Sequence, residues 1–168
     1  MSIYEYDQNI KDILYKFKGC FDIEIGVVFF QRYLPFLKNR YKGYYIVPVP
    51  SYHLEDIKRG FNHVEEMYSR LELPMLKVLV KTKNIKQAKL RKKERMKTKN
   101  RFEIIDKNIL KDKKILVVDD VYTTGSSMKA ALELVKTGKP RLIEVLVMSK
   151  NILKPKKWQY KLFCIRRN

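Results

Sequence analysis

Cysteine is nearly missing from this 168-residue chain: Cys20 and Cys164 stand far apart, so neither a disulfide framework nor a zinc site is expected. Long apolar runs are missing as well. Val27 to Phe30 is broken at once by Gln31 and Arg32, which excludes a membrane-spanning helix there. The first residues, MSIYEYDQNIKD, have no basic region followed by an apolar stretch, so no secretory signal is expected. None of the six glycines falls in a Gly-x-x-x-x-Gly-Lys-Ser/Thr loop, which excludes a P-loop nucleotide site. Acid is short: 18 Asp and Glu face 37 Lys and Arg, a formal charge of +19. Such a surplus attracts polyanions such as nucleotides, pyrophosphate or nucleic acid, although solvated lysines alone also produce it. A hydrophobic content of 45% is ordinary for a globular protein and argues against disorder. We expect a cytoplasmic protein with one domain over residues 1–168. Residues 1–40 form a helical portion, and 41–168 a core with a basic loop at 81–101.

Periodicity supplies the elements. Ile10, Ile13, Leu14 and Phe17 recur at helical spacing before Gly19, and Ile25, Val28, Phe29, Phe36 and Leu37 suggest the buried face of a second helix. Tyr44 to Val49 reads as a strand closed by Pro50, and Val64, Met67, Tyr68 and Leu71 as a helix after Asn62. Strands are expected at Met75–Val80, Phe102–Ile105, Leu142–Met148 and Tyr160–Ile165, with a helix on Met128, Ala131, Leu132 and Val135 ending near Gly138. Strands alternating with helices imply a mainly parallel α/β sheet.

The most informative stretch is Ile115 to Ser127, ILVVDDVYTTGSS. Ile115 to Val118 reads as a strand buried on both faces. Asp119 and Asp120 end it, and Thr123-Thr124-Gly125-Ser126-Ser127 turns into an amphipathic helix. Acids and unpaired backbone N–H groups then meet at the carboxyl edge of a parallel sheet, where such folds bind ligands. Gly125 lets backbone approach an anion closely, and the hydroxyls add donors. The carboxylates can accept from two neighbouring sugar hydroxyls or hold Mg²⁺ through water. A Walker B strand would need the missing P-loop, and a receiver-type acid pocket would follow the first strand. An ordinary strand, cap and helix explain one acid but not two acids and five small residues.

The segment resembles the phosphoribosyl-pyrophosphate (PRPP) signature of type I phosphoribosyltransferases. Further landmarks are similar to the ComF branch of that family: Lys16-Phe17-Lys18-Gly19, the run IVPVPSYHLEDIKRGFNHVEEM, Gln87-Ala88-x-Leu90, then Arg95, Asn100 and Phe102. The similarity covers about Tyr15 to Val147. It implies a type I phosphoribosyltransferase fold, a central mainly parallel sheet flanked by helices with a small N-terminal hood.

The resemblance also implies roles. Asp119 and Asp120 bind the ribose hydroxyls and Mg²⁺, and Thr123 to Ser127 cradle the 5′-phosphate. Arg59, Lys83, Lys86 and Gln87 are candidates for pyrophosphate, with Lys83 also assigned to catalysis. Pyrophosphate then leaves the anomeric carbon for an unidentified acceptor. The family is associated with DNA uptake in natural competence, so single-stranded DNA, DNA-uptake proteins and a homodimer are expected partners. The rival reading is a nucleic-acid-binding or PRPP-sensing scaffold without turnover, with Tyr41, Tyr44 and Tyr45 beside Arg40 and Lys42 either stacking bases or filling a helix-to-strand junction. This chain departs from many relatives in lacking a four-cysteine zinc element. His63 stands where Gln is usual, and Thr123 where purine-specific relatives often carry an acid; His53 and His63 are read as structural or surface residues.

Overall fold

The computed structural model describes residues 1–19, 31–50, 60–81 and 102–151. Numbered in chain order, its elements are β1 (Ser2–Glu5), α1 (Gln8–Gly19), α2 (Leu34–Arg40), β2 (Tyr44–Pro48), α3 (His63–Ser69), β3 (Leu79–Lys81), β4 (Phe102–Ile104), β5 (Lys114–Tyr122), α4 (Ser126–Thr137) and β6 (Leu142–Lys150). The main sheet has the order β1-β6-β5-β2, and every pairing in it is parallel. A second, antiparallel pair joins β3 to β4.

β5 lies inside the sheet because it is apolar on both faces: Ile115, Leu116, Val117 and Val118 are wholly buried. On one side Val64, Met67 and Tyr68 of α3, with Leu71 just beyond it, pack with Leu116, Val118 and Leu146. On the other, Met128, Ala131 and Val135 of α4 pack with Ile115, Val117 and Val147. The α3 and α4 stripes read from the sequence are therefore core, as expected, and the mainly parallel α/β architecture is confirmed. The two helices hold β5 from opposite sides.

Differences have local causes. β1 has no counterpart among the expected elements, since four residues at the sheet edge give little pattern; it pairs parallel to β6. The strand expected over Met75–Val80 is split. Leu76 N–H and Pro74 C=O bond the backbone of Ile46, after which the chain leaves β2 and pairs with β4. In α2, Leu37 is buried but Phe36 is 55% exposed, since adjacent helical residues lie on different faces. Tyr41 and Tyr44 are also buried, with rings 5.5 Å apart edge to face, so they fill the helix-to-strand junction and present no face to a base. The positions Ile25, Val28 and Phe29 and the strand expected over 160–165 lie outside the described residues.

Candidate functional site

The acids do not follow β5 but lie within it. β6 is equally long and carries the register from Lys114↔Leu142 through Asp119↔Val147 to Tyr122↔Lys150. β2 pairs Pro48 with Val118, and Val49 N–H to the Val118 carbonyl is the last bond between these strands among the described residues. Among the described residues β5 runs on from Val118 to Tyr122 beside β6, which sets the acids toward the carboxyl edge of the sheet. Side-chain alternation also shifts there. Leu116, Val118 and Val121 belong to one core layer, and Ile115, Val117 and Tyr122 to the other, while the register with β6 runs on unbroken. Asp119 and Asp120 occupy the step.

The two acids are held differently. The Asp119 carboxylate is half-buried; its Oδ1 accepts from Asp120 N at 2.9 Å, and its carbonyl accepts from the Tyr68 hydroxyl at 2.8 Å. That hydroxyl also lies 3.2 Å from the Leu146 carbonyl. Burial, then the nearby Asp119 charge and Tyr41, push the Tyr68 phenol well above its ordinary value, which keeps it a neutral donor. Asp120 is buried; Oδ2 lies 3.0 Å from His63 Nε2, and Oδ1 accepts from Val121 N. A carboxylate only accepts, so Nε2 carries the proton in this contact.

The turn after β5 opens α4 through Gly125, whose φ is +73°, a left-handed conformation suited to glycine. A Cβ there would lie 2.2 Å from the Tyr122 hydroxyl. Thr123, Thr124 and Ser126 line the turn, and Thr124 Oγ1 donates to Ser126 Oγ at 3.1 Å. Three turns of α4 stand behind the loop with the positive end of their dipole toward it. The Lys150 ammonium, at the end of β6, lies 5.8 Å from the Tyr122 ring.

The structure thus brings together Asp119, Asp120 and Thr123 to Ser127 at one sheet edge. Arg59, Lys83, Lys86, Gln87 and His53 lie outside the described residues. His63, Tyr68 and Lys150 join this neighbourhood without having been expected in it. Only the substitution of His for Gln hints at the first; Tyr68 depends on how α3 docks on the sheet and Lys150 on strand register, neither of which single-residue patterns show. Among the described residues no group of three or more His, Cys, Asp or Glu could hold a metal ion. The donors fit a hard dication held through water and a ligand's own oxygens, as suits Mg²⁺, and do not fit a closed protein cage.

A parallel sheet with this acid-and-hydroxyl edge defines a phosphoribosyltransferase-type α/β protein. The phosphoribosyl transferase domain model matches residues 57–168, and the chain belongs to that family. Its curated homologues include the competence protein ComFC of Bacillus subtilis (strain 168), 31% identical over 141 residues, covering 82% of this chain and 58% of that protein. ComFC of Streptococcus pneumoniae is 31% identical over 135 residues, 80% of this chain and 60% of that one. The chain therefore spans about three-fifths of the length of the curated relatives it matches. Among solved structures, a hypoxanthine phosphoribosyltransferase from Staphylococcus aureus is similar at a TM-score of 0.47 and 13% identity, covering 82% of this chain and 70% of that one.

Proposed function

We propose that the chain binds PRPP with Mg²⁺ and transfers its phosphoribosyl group to an acceptor. The observation that carries this reading is the carboxyl end of β5, which sets Asp119 and Asp120 shortly before the glycine turn that opens α4. The 5′-phosphate is received by Thr123 to Ser127, whose N–H groups and hydroxyls begin a helix. The acids accept from the ribose hydroxyls and fix the ring; Arg59, Lys83, Lys86 and Gln87 receive the pyrophosphate, with Lys83 stabilising charge at the leaving oxygen. In the reaction the bond from the anomeric carbon to pyrophosphate breaks, its electron pair leaves with the oxygen, and a bond to the acceptor's nucleophilic atom forms. Mg²⁺, when bound, neutralises charge on the leaving group. The curated relatives are named competence proteins, so the proposal places this activity in competence and in the cytoplasm.

Titration calorimetry with PRPP in the presence and absence of Mg²⁺ tests binding. Exchange of labelled pyrophosphate into PRPP, across a panel of acceptors, tests turnover. The reading expects Mg²⁺-dependent uptake that falls at least tenfold in Asp119→Asn, the cost of about one charge-assisted hydrogen bond. No uptake by folded wild-type chain would sink it.

A second reading, binding of single-stranded nucleic acid, is favoured by the opposite edge of the sheet. The turns at the amino ends of β2, β5 and β6 gather Lys42, Lys111, Lys113, Lys114, Lys139 and Arg141, interrupted by Asp112. Backbone bonds from Asp112 N to Lys139 O and from Arg141 N to Lys113 O hold two of these turns together. Cations so grouped suit a phosphate backbone.

A further inference from the structure

The α3 helix reaches the acid pair twice. From one end Tyr68 donates to the Asp119 carbonyl, and from the other His63 meets the Asp120 carboxylate. We infer that His63 is a positioning residue: it turns Asp120 under the sheet edge, so that the two neighbouring aspartates present unequal faces to the sugar. This deepens the PRPP reading and rests on it.

The geometry supports a division of labour. Asp120 is only 8% exposed, and each of its oxygens is engaged within the protein, Oδ2 by His63 Nε2 and Oδ1 by Val121 N. Asp119 is half-buried and so the more open of the two, its Oδ1 accepting from the next backbone N–H. His63 is itself 6% exposed, at the first position of α3, and is set there by the Asn62 cap. Its buried ring meets a buried carboxylate at 3.0 Å, and this contact orients Asp120. A carboxylate at the point where alternation shifts has two sides of the sheet to choose between, and the imidazole N–H selects one. Asp119 meets the ligand first, and Asp120 shapes the floor beneath it.

Which donor is present matters more than which residue. Gln reaches as far as the histidine Nε2 and ends in an N–H; Asn is polar but too short; Leu fills space without a donor. Calorimetry with Mg²⁺ and PRPP on wild type, His63→Gln, His63→Asn, His63→Leu, Asp120→Asn and the His63→Leu/Asp120→Asn double variant, each with a thermal melt, separates the roles. Wild type binds, His63→Gln stays within about threefold, and His63→Asn and His63→Leu each lose about tenfold, the worth of one charge-assisted hydrogen bond. The double variant binds about as weakly as Asp120→Asn alone, because His63 acts only through Asp120. A merely structural histidine would instead lower the melting temperature while the folded fraction bound as tightly as wild type; that result overturns the inference. So do losses that add fully in the double variant. If His63→Leu does not fold, equal affinity of His63→Asn and His63→Gln overturns it as well. Absence of uptake by wild type overturns the PRPP reading, and the positioning role with it, whereas wild-type uptake kept by folded His63→Asn overturns the positioning role alone.

Discussion

Gly125 joins the acid strand to the phosphate helix, and two independent demands fall on it. Its φ of +73° costs an L-residue about 1 kcal/mol, and a methyl at that point would strike the Tyr122 hydroxyl at 2.2 Å. The ring can swing aside, because the clash is with the far end of a flexible side chain, but it then leaves its place against the turn. Gly125→Ala should therefore lower the melting temperature by about 2–4 °C, as about 1 kcal/mol does in a domain of this size. PRPP affinity should fall further than that stability loss explains, since the loop amides are displaced from the phosphate. Melts and calorimetry on the same preparation measure both. Unchanged affinity in a folded Gly125→Ala would remove the loop from the site.

At the scale of elements, the short helix α3 is the exposed weakness. Seven residues form fewer than two turns, and helices that short depend on their caps and their packing. Asn62 Oδ1 accepts from both Val64 N at 3.0 Å and Glu65 N at 3.1 Å. Asn62→Ala should cost about 1 kcal/mol in urea unfolding, and Asn62→Asp, which keeps the acceptor, should recover most of it. The same cap carries His63, so PRPP binding should follow the cap. The sequence made this helix legible through Val64, Met67, Tyr68 and Leu71, all buried, because the stripe is a local pattern that packing merely reads out. The β5 core and the glycine turn were legible for the same reason. The extension of β5 through the acids was not, because it is imposed by β6, a partner twenty-eight positions on, in the pairing of Asp119 with Val147. Nor was the His63–Asp120 contact, which joins residues fifty-seven positions apart. Local chemistry shows in sequence; register and long-range pairs do not.

For the molecule as a whole, two tyrosines tie folding to alkaline pH. Burial, then repulsion from Glu144, pushes Tyr41 up to about 12, and burial pushes Tyr68 well above its ordinary 10. A raised folded value favours the neutral form. Their contribution to stability is complete below pH 10 and is lost as pH rises toward 12 and beyond. Tyrosinate absorbance and circular dichroism should change together in that window. Ionisation of both phenols without loss of structure would contradict their burial. Charge makes the second whole-molecule prediction, because part of the basic surplus gathers at one edge of the sheet among the described residues. Lys42, Lys111 and Arg141 lie at the amino edge of the sheet, and the acids stand within the carboxyl half of the nine-residue β5. At about 3.3 Å per residue the five steps from Lys114 to Asp119 put the acids about 17 Å from that edge, some twice the Debye length of about 8 Å at physiological salt. Polyanion binding at one edge is therefore screened from sugar-phosphate binding at the other. The triple variant Lys42→Gln/Lys111→Gln/Arg141→Gln should reduce the salt dependence of single-stranded DNA binding by about two in log–log slope, at about 0.7 for each phosphate no longer neutralised. Its affinity for Mg²⁺ and PRPP should stay at the wild-type value. An unchanged slope would deny the basic edge any part in binding nucleic acid, and a parallel fall in PRPP uptake would mean that the two edges are coupled through the sheet and not screened by solvent.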